Sequence, residues 1–194
     1  MITYFSKTMK ILTDAVLSMD LETFEKLTDE CVKSLDNGGK VIVSGLGKNV
    51  PICEKIVGTM LSLGQNANFM HTNTAVHGDL GMVKPNDIVI LLSKSGRTAE
   101  TVYLADKLLE RHSNIWLFTF DKTAPLSKKL SGTLAIDLAH EGDQWNLVPN
   151  NSSTVNMIVL QGLALEIAKR RNVTLEDFKA NHPGGFIGEF LKNV

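Results

Sequence analysis

Residues 88–100 read I-V-I-L-L-S-K-S-G-R-T-A-E. Five apolar residues, Ile88 to Leu92, stop abruptly at Ser93. The small residues Ser93, Ser95, Gly96 and Thr98 follow, and from Thr98 the apolar spacing becomes helical. A short continuous apolar run bounded by turn residues reads as a strand buried on both faces. A buried strand, a hydroxyl-rich turn and a helix N-terminus bring backbone N–H groups, hydroxyls and the positive end of a helix dipole to one point. Those are the parts that hold a phosphate. An ordinary strand-to-helix turn with Thr98 as N-cap has the same composition, so the turn alone does not decide between them.

The rest of the chain repeats the strand–helix alternation. Residues 3–36 read as two helices, with Asp20 capping the second and Asn37-Gly38-Gly39 ending it. Lys40–Ser44 is a β-branched strand, followed by the glycine turn Gly45-Leu46-Gly47-Lys48-Asn49 and a helix with Pro51 in its first turn. Further strands are expected at Ala67–Met70, Asn114–Thr119 and Thr133–Leu138. Helices are expected from about Thr98 to His112, Pro125 to Leu130, and Ser152 or Ser153 to Arg171. A short helix opens at Thr174, with Asp177 at capping-box spacing, and a last one spans Phe186–Lys192. Strands separated by helices imply right-handed crossovers and a parallel sheet covered on both faces. The expectation is one α/β domain over residues 1–194, a three-layer α-β-α sandwich on a five-stranded parallel sheet. Residues 1–36 form its N-terminal helices and 37–194 its core. Ligands in such folds sit beyond the carboxyl ends of the strands. The turns at Gly45 and Ser93 and the loop at Glu141 should therefore share one face.

Lys+Arg total 20 and Asp+Glu total 21. A net charge of −1 gives no support for a nucleic-acid or anionic-membrane partner. No apolar run approaches the ~18 residues of a membrane span, and the N-terminus lacks a signal-peptide layout, so a cytoplasmic protein is expected. Cys31 and Cys53 lack metal-ligand spacing and read as buried free thiols. The glycine turn fits neither a dinucleotide fingerprint nor a Walker A motif.

The turn S-K-S-G-R-T at 93–98 resembles the phosphosugar-binding signature of the SIS (sugar isomerase) domain family, whose fold is Rossmann-like or flavodoxin-like. G-L-G-K at 45–48, H-G-D-L-G-M at 77–82, V-P-N-N-S-S-T at 148–154 and T-L-E-D-F-K-A-N-H-P-G-G at 174–185 are similar to its arabinose-5-phosphate isomerase subgroup, so the likeness covers roughly residues 37 to 192. The resemblance implies catalytic positions at Lys48, Glu100, Glu141 and His182. It implies phosphate binding by Ser93, Lys94, Ser95, Thr98 and Asn49, with helix-capping serines at Ser152 and Ser153. It places Gly47, His77, Asp79 and Arg97 in the pocket. It implies no cofactor, a phosphosugar as partner, and a homotetramer or homodimer with sites shared between subunits, His182 being a candidate for arriving from a neighbouring chain. Three features depart from the family pattern. Gly47-Lys48-Asn49-Val50-Pro51 stand where G-K-S-G-H is usual, Arg97 follows the signature glycine, and the paired C-terminal CBS modules of the full-length enzymes are expected to be absent, along with any regulation through them.

Moving a carbonyl between carbons one and two of a sugar phosphate passes through an enediol. It needs a base, a group that stabilises charge on oxygen, and a route for the hydroxyl proton. A carboxylate in a dry pocket, its pKa raised towards neutrality, serves as base. Glu141 is the first choice and Glu100 the second. Lys48 suits the oxyanion, and His182 the ring opening or the hydroxyl proton. Several readings stay open. Arg97 is either an extra phosphate ligand or an exposed charge. His77 and Asp79 read more simply as loop structure. Trp145 is a pocket wall or a subunit contact. A metal held by His71, His77, Asp79, Glu141 and His182 is conceivable, although the scheme needs none. A phosphosugar sensor without catalysis and an isomerase of another phosphosugar, such as a hexulose 6-phosphate, are the alternatives to arabinose 5-phosphate/ribulose 5-phosphate isomerisation.

Overall fold

A computed structural model describes residues 2–191. The expected end of the last helix at Lys192 lies outside them. Two helices, α1 (Ile2–Leu17) and α2 (Leu21–Asp36), lead into β1 (Val41–Gly45). Then follow α3 (Val50–Ser62), β2 (Ala67–His71), β3 (Ile88–Leu92), α4 (Ala99–Leu109), β4 (Ile115–Thr119), β5 (Gly132–Ala135), α5 (Asn151–Arg170), α6 (Leu175–Ala180) and α7 (Gly185–Leu191). The strands form one parallel sheet in the order β2-β1-β3-β4-β5.

Alternation along the strands divides the core in two. Val41, Val43, Ile88, Ile90, Leu92, Trp116 and Leu134 face one way, into a cluster with buried residues of α1, α2, α3 and α5. Ile42, Val89, Leu91, Ile115 and Leu117 face the other way, against Leu104, Ala105 and Leu108 of α4 and the short turns around Leu80 and Leu126. Both faces are covered, so β1, β3 and β4 are buried at every position.

Local signals account for several element ends. Asp20 accepts the Thr23 backbone N–H at the start of α2, and Thr174 and Asp177 form the expected reciprocal capping box of α6. Pro51 lies in the first turn of α3, where its missing N–H costs nothing. Other boundaries differ from expectation. β5 ends at Ala135 rather than Leu138, because its one partner, β4, ends at Thr119, opposite Ala135. The expected helix at Pro125 is a single 3-10 turn, Pro125–Lys128. Two more 3-10 turns, Ala75–His77 and Asp79–Met82, occupy the loop after β2.

The amino ends of β1 and β3 are fastened by Asp87, which is 1% exposed. Its carboxylate accepts the backbone N–H groups of Lys40 (3.0 Å) and Lys84 (2.8 Å) and the Lys40 ammonium (2.7 Å). Removing one partner of a buried ion pair leaves the other charge and the amides uncompensated. Asp87→Ala should lower the unfolding free energy by about 3 kcal/mol, read as a fall in the urea midpoint at unchanged slope.

Candidate active site

The strand order places a topological switch between β1 and β3, since the chain leaves β1 towards β2 and leaves β3 towards β4. A crevice opens at the carboxyl ends of such a pair. The lysine turn follows β1 and the hydroxyl turn follows β3, so the two flank it.

The hydroxyl turn is built from its own side chains. Ser93 Oγ accepts the Gly96 N–H (3.1 Å) and lies 3.4 Å from Thr98 Oγ1. Ser95 Oγ accepts the Arg97 N–H (3.2 Å). The Lys94 carbonyl is pinned by the Phe120 N–H and the Thr119 hydroxyl, each at 2.9 Å. Gly96 has φ +60°, and a Cβ there would lie 2.6 Å from that of Ala124, so no larger residue fits. Thr98 holds the N-cap position of α4 without making the expected side-chain cap. Its hydroxyl lies towards Ser93 instead, and the first N–H groups of α4 are left without intrahelical partners.

Arg97 points away from the crevice. Its guanidinium pairs with Asp121 and donates to the Ser95 carbonyl (3.0 Å) and Thr123 Oγ1 (3.2 Å). The Thr123 hydroxyl and Arg97 hold the Asp121 carboxyl at about 2. Arg97 therefore braces the turn against the loop of Asp121 and Thr123.

Lys94 and Glu141 form the centre of the site. Glu141 is fully buried and Lys94 half exposed, and their charged atoms are 2.5 Å apart. The other carboxylate oxygen accepts the backbone N–H groups of Asn150 (3.0 Å) and Ser152 (2.9 Å) at the N-terminus of α5. Burial pushes the Glu141 pKa up, but the Lys94 ammonium and the Ser152 and Asn150 N–H groups outweigh it and hold it below the ordinary value. This reverses the raised pKa expected of a base in this resting arrangement. It also corrects the cap of α5. The helix begins at Asn151, and the capping group is the Glu141 carboxylate reaching in from the loop, while Ser153 Oγ donates back to the Pro149 carbonyl (3.3 Å).

The loop that carries Glu141 is held in shape by polar contacts. Asn146, at φ 57°, accepts the Glu141 N–H (2.7 Å), and the Asp143 carboxylate collects N–H groups from Trp145, Leu147 and Val148. Trp145 is 66% exposed.

Lys48 stands exposed at the tip of its turn, after Gly47 at φ +59°. A cleft of about 90 Å³ lies among Lys48, Asn49, Lys94, Phe120, Ser152 and Asn156. The Asn49 amide is already engaged there by two hydrogen bonds. Its Oδ1 accepts from Asn156 Nδ2 (3.0 Å) and its Nδ2 donates to the Leu92 carbonyl (3.3 Å). Sequence reasoning missed Asn156. The available signal was a polar residue set between the apolar positions Val155 and Val159 of α5.

The remaining candidates lie outside this group. Glu100 is exposed in the first turn of α4, with no hydrogen bond or ion pair to another described residue. His77 is exposed, and Asp79 accepts from Thr74 Oγ1 (3.1 Å), in keeping with loop structure. His182 is stacked on Phe178 at 4.0 Å, with Nδ1 donating to the Phe178 carbonyl (2.8 Å), which leaves Nε2 free. Its neighbour Asn181 donates to the Ser62 carbonyl at the far end of α3. Lys48 precedes the near end of that helix, and 13 residues at 1.5 Å each separate the two by about 20 Å. Within one chain His182 does not join the cleft. The five residues considered for a metal do not come together either, and no cluster of three metal-binding side chains exists among the described residues. Among the same residues, no helix is long and apolar enough to cross a membrane.

Residues 34–170 match the SIS domain family. An uncharacterized protein of Helicobacter pylori is 36% identical over 172 residues, covering 89% of this chain and 51% of that protein. The arabinose 5-phosphate isomerase KdsD of Pseudomonas aeruginosa is 34% identical over 185 residues, covering 95% of this chain and 57% of that enzyme. The chain thus spans about half the length of the curated relatives it matches. Among solved structures, Escherichia coli CFT073 c3406 in complex with arabinose 5-phosphate superposes with a TM-score of 0.86 at 32% identity, over 93% of this chain and 94% of that one.

Because the Glu141 pKa lies below its ordinary 4.5 in the folded protein, the carboxylate stabilises the fold at and above that pH, and the contribution is lost as the pH falls below it. Glu141→Gln should cost about 2 kcal/mol at pH 7. The gap to the parent should shrink as urea titrations are repeated below pH 4.5.

Proposed function

This chain belongs to the SIS domain family, and we propose that it is a phosphosugar isomerase acting between D-arabinose 5-phosphate and D-ribulose 5-phosphate. The observation that carries this reading is the meeting of two lysines, two helix N-termini and a buried carboxylate at the switch point of the sheet. The names of the Pseudomonas enzyme and of the Escherichia coli complex support the choice of sugar.

In this mechanism the phosphate seats on residues 93–98, against Ser93, Ser95, Thr98 and the N-terminus of α4. Lys94 belongs to that turn, so an arriving phosphate draws its ammonium off Glu141. Once the counter-ion leaves, burial is opposed only by the Asn150 and Ser152 groups, and the Glu141 pKa rises from its resting position. Glu141 then takes the proton from carbon two and returns it to carbon one, while a proton passes between the two oxygens. No net oxidation occurs. Lys48 holds the charge developing on the enediol oxygen, and Glu100, on the same side of the sheet, is the second candidate base. Ser152 and Ser153 contribute from the start of α5.

His182 enters from a second copy of the chain. The exposed Phe186, Ile187 and Phe190 of the adjoining α7, and the exposed Tyr4, Phe5 and Met9 of α1, support apolar subunit contacts. We assign it the ring opening or the hydroxyl proton.

With arabinose 5-phosphate in deuterium oxide, NMR should show exchange at carbon two. Lys48→Ala should slow it by about 10²- to 10³-fold, and Glu141→Gln by about 10²- to 10⁴-fold. Binding without exchange for every pentose and hexose phosphate tried would overturn the enzyme reading. Shared sites make a separate prediction. Lys48→Ala and His182→Ala proteins, each inactive alone, should recover part of the activity when co-expressed, because mixed oligomers contain some intact sites. Absence of recovery in isolated mixed oligomers would overturn the sharing of sites between subunits.

A further inference from the structure

Three segments that bear on the cleft meet at one hydrogen-bonded pair of amides. Asn49 follows Lys48 directly, in the turn after β1. Its Nδ2 donates to the carbonyl of Leu92, the last residue of β3 and the one before the hydroxyl turn (3.3 Å). Its Oδ1 accepts from Asn156 on α5 (3.0 Å), and Asn156 is 6% exposed. The turn is also pressed onto the end of β1. A Cβ on Gly45 would lie 2.7 Å from the Asn49 Cβ and 3.0 Å from the Cys53 sulfur, so only glycine lets Asn49 sit so low. Both ends of the Asn49 amide are thus committed, and both amides border the cleft. A serine at position 49, as in the related turn, ends one atom past Cβ and is too short to bridge the same two partners.

We propose that the Asn49–Asn156 pair is a specificity-determining brace that fixes the span between Lys48 and the phosphate turn, and so selects the chain length of the phosphosugar. The inference rests on the function proposed above. A sugar anchored by its phosphate at one end presents its reacting carbons at a distance set by the number of carbons between. Lys48 must stand at that distance, and a misplacement of about 1 Å at the reacting atoms costs on the order of 10²-fold in rate. The brace ties the residue next to Lys48 to the residue before Ser93, so it sets this distance and does not touch the phosphate. Asn49 and Asn156 are positioning residues in this account.

The test compares the parent with Asn156→Ala and Asn49→Ser, using arabinose 5-phosphate, glucose 6-phosphate and inorganic phosphate. Dissociation constants are read by calorimetry and exchange at carbon two by NMR, with melting temperatures alongside. The parent should favour the pentose phosphate. Either variant should shrink the pentose-to-hexose ratio by about tenfold, chiefly by lowering kcat on the pentose, while affinity for inorganic phosphate stays at the parent's level. A ratio that does not move, or a loss shared equally by both sugars and phosphate, overturns the proposal and makes the pair structural. Failure of both variants to fold has the same meaning. If the parent binds the sugars without exchanging them, the isomerase reading fails and the affinity ratios still decide the brace. If it binds neither sugar, both fall.

Discussion

The Glu141 carboxylate is the joint on which the candidate site depends. It is buried in a polar loop, where an ionised group without partners would be untenable. Its partners come from two parts of the chain distant in sequence: the ammonium of Lys94 from the turn after β3, and the first N–H groups of α5. The positive end of that 20-residue helix and the lysine together satisfy one negative charge. The phosphate turn, the loop after β5 and the helix that packs under the sheet are therefore held in register by one group.

The sheet sets which residues can meet at all. Parallel strands put every strand-to-helix turn on one face, which brings Lys48, Lys94 and the start of α4 together without any special contact. The same geometry sends the far end of α3, and His182 with it, to the opposite face. A protein that needs both groups in one reaction has to supply the histidine from another molecule. On the proposed mechanism, association then completes the site as well as covering apolar surface.

Much of this was legible in the sequence because the signals are local. Five-residue β-branched runs, Asn-Gly-Gly after α2, Pro51 and the Thr174–Asp177 box each specify backbone structure over a few residues, and each element lies where expected within a few positions. The family likeness likewise rested on contiguous motifs. What escaped reading depends on contacts across the chain. Ser152 looks like a helix cap, yet the capping group is a carboxylate eleven residues earlier. Arg97 could be read either as a phosphate ligand or as an exposed charge, and its pairing with Asp121 and Thr123, on another loop, is visible only in the fold. The sign of the Glu141 shift is the balance of burial against two N–H groups and a lysine, and composition contains no such balance. Asn156 looked like one more residue of a long helix, and only the fold shows it reaching Asn49.

The lysine shared between Glu141 and the phosphate turn makes the protein its own competitor. On the proposed mechanism, an anion that takes Lys94 has to displace a carboxylate already in place, so a fixed fraction of the intrinsic affinity is lost for every phosphate alike. Ligands with nothing but a phosphate to offer bear that loss in full. A ligand with hydroxyls that reach Lys48 or the start of α5 recovers it through contacts the small anion lacks. In a cell rich in inorganic phosphate and phosphate esters, this internal rival acts as a filter against background anions. It keeps the site open for molecules long enough to bridge the whole crevice.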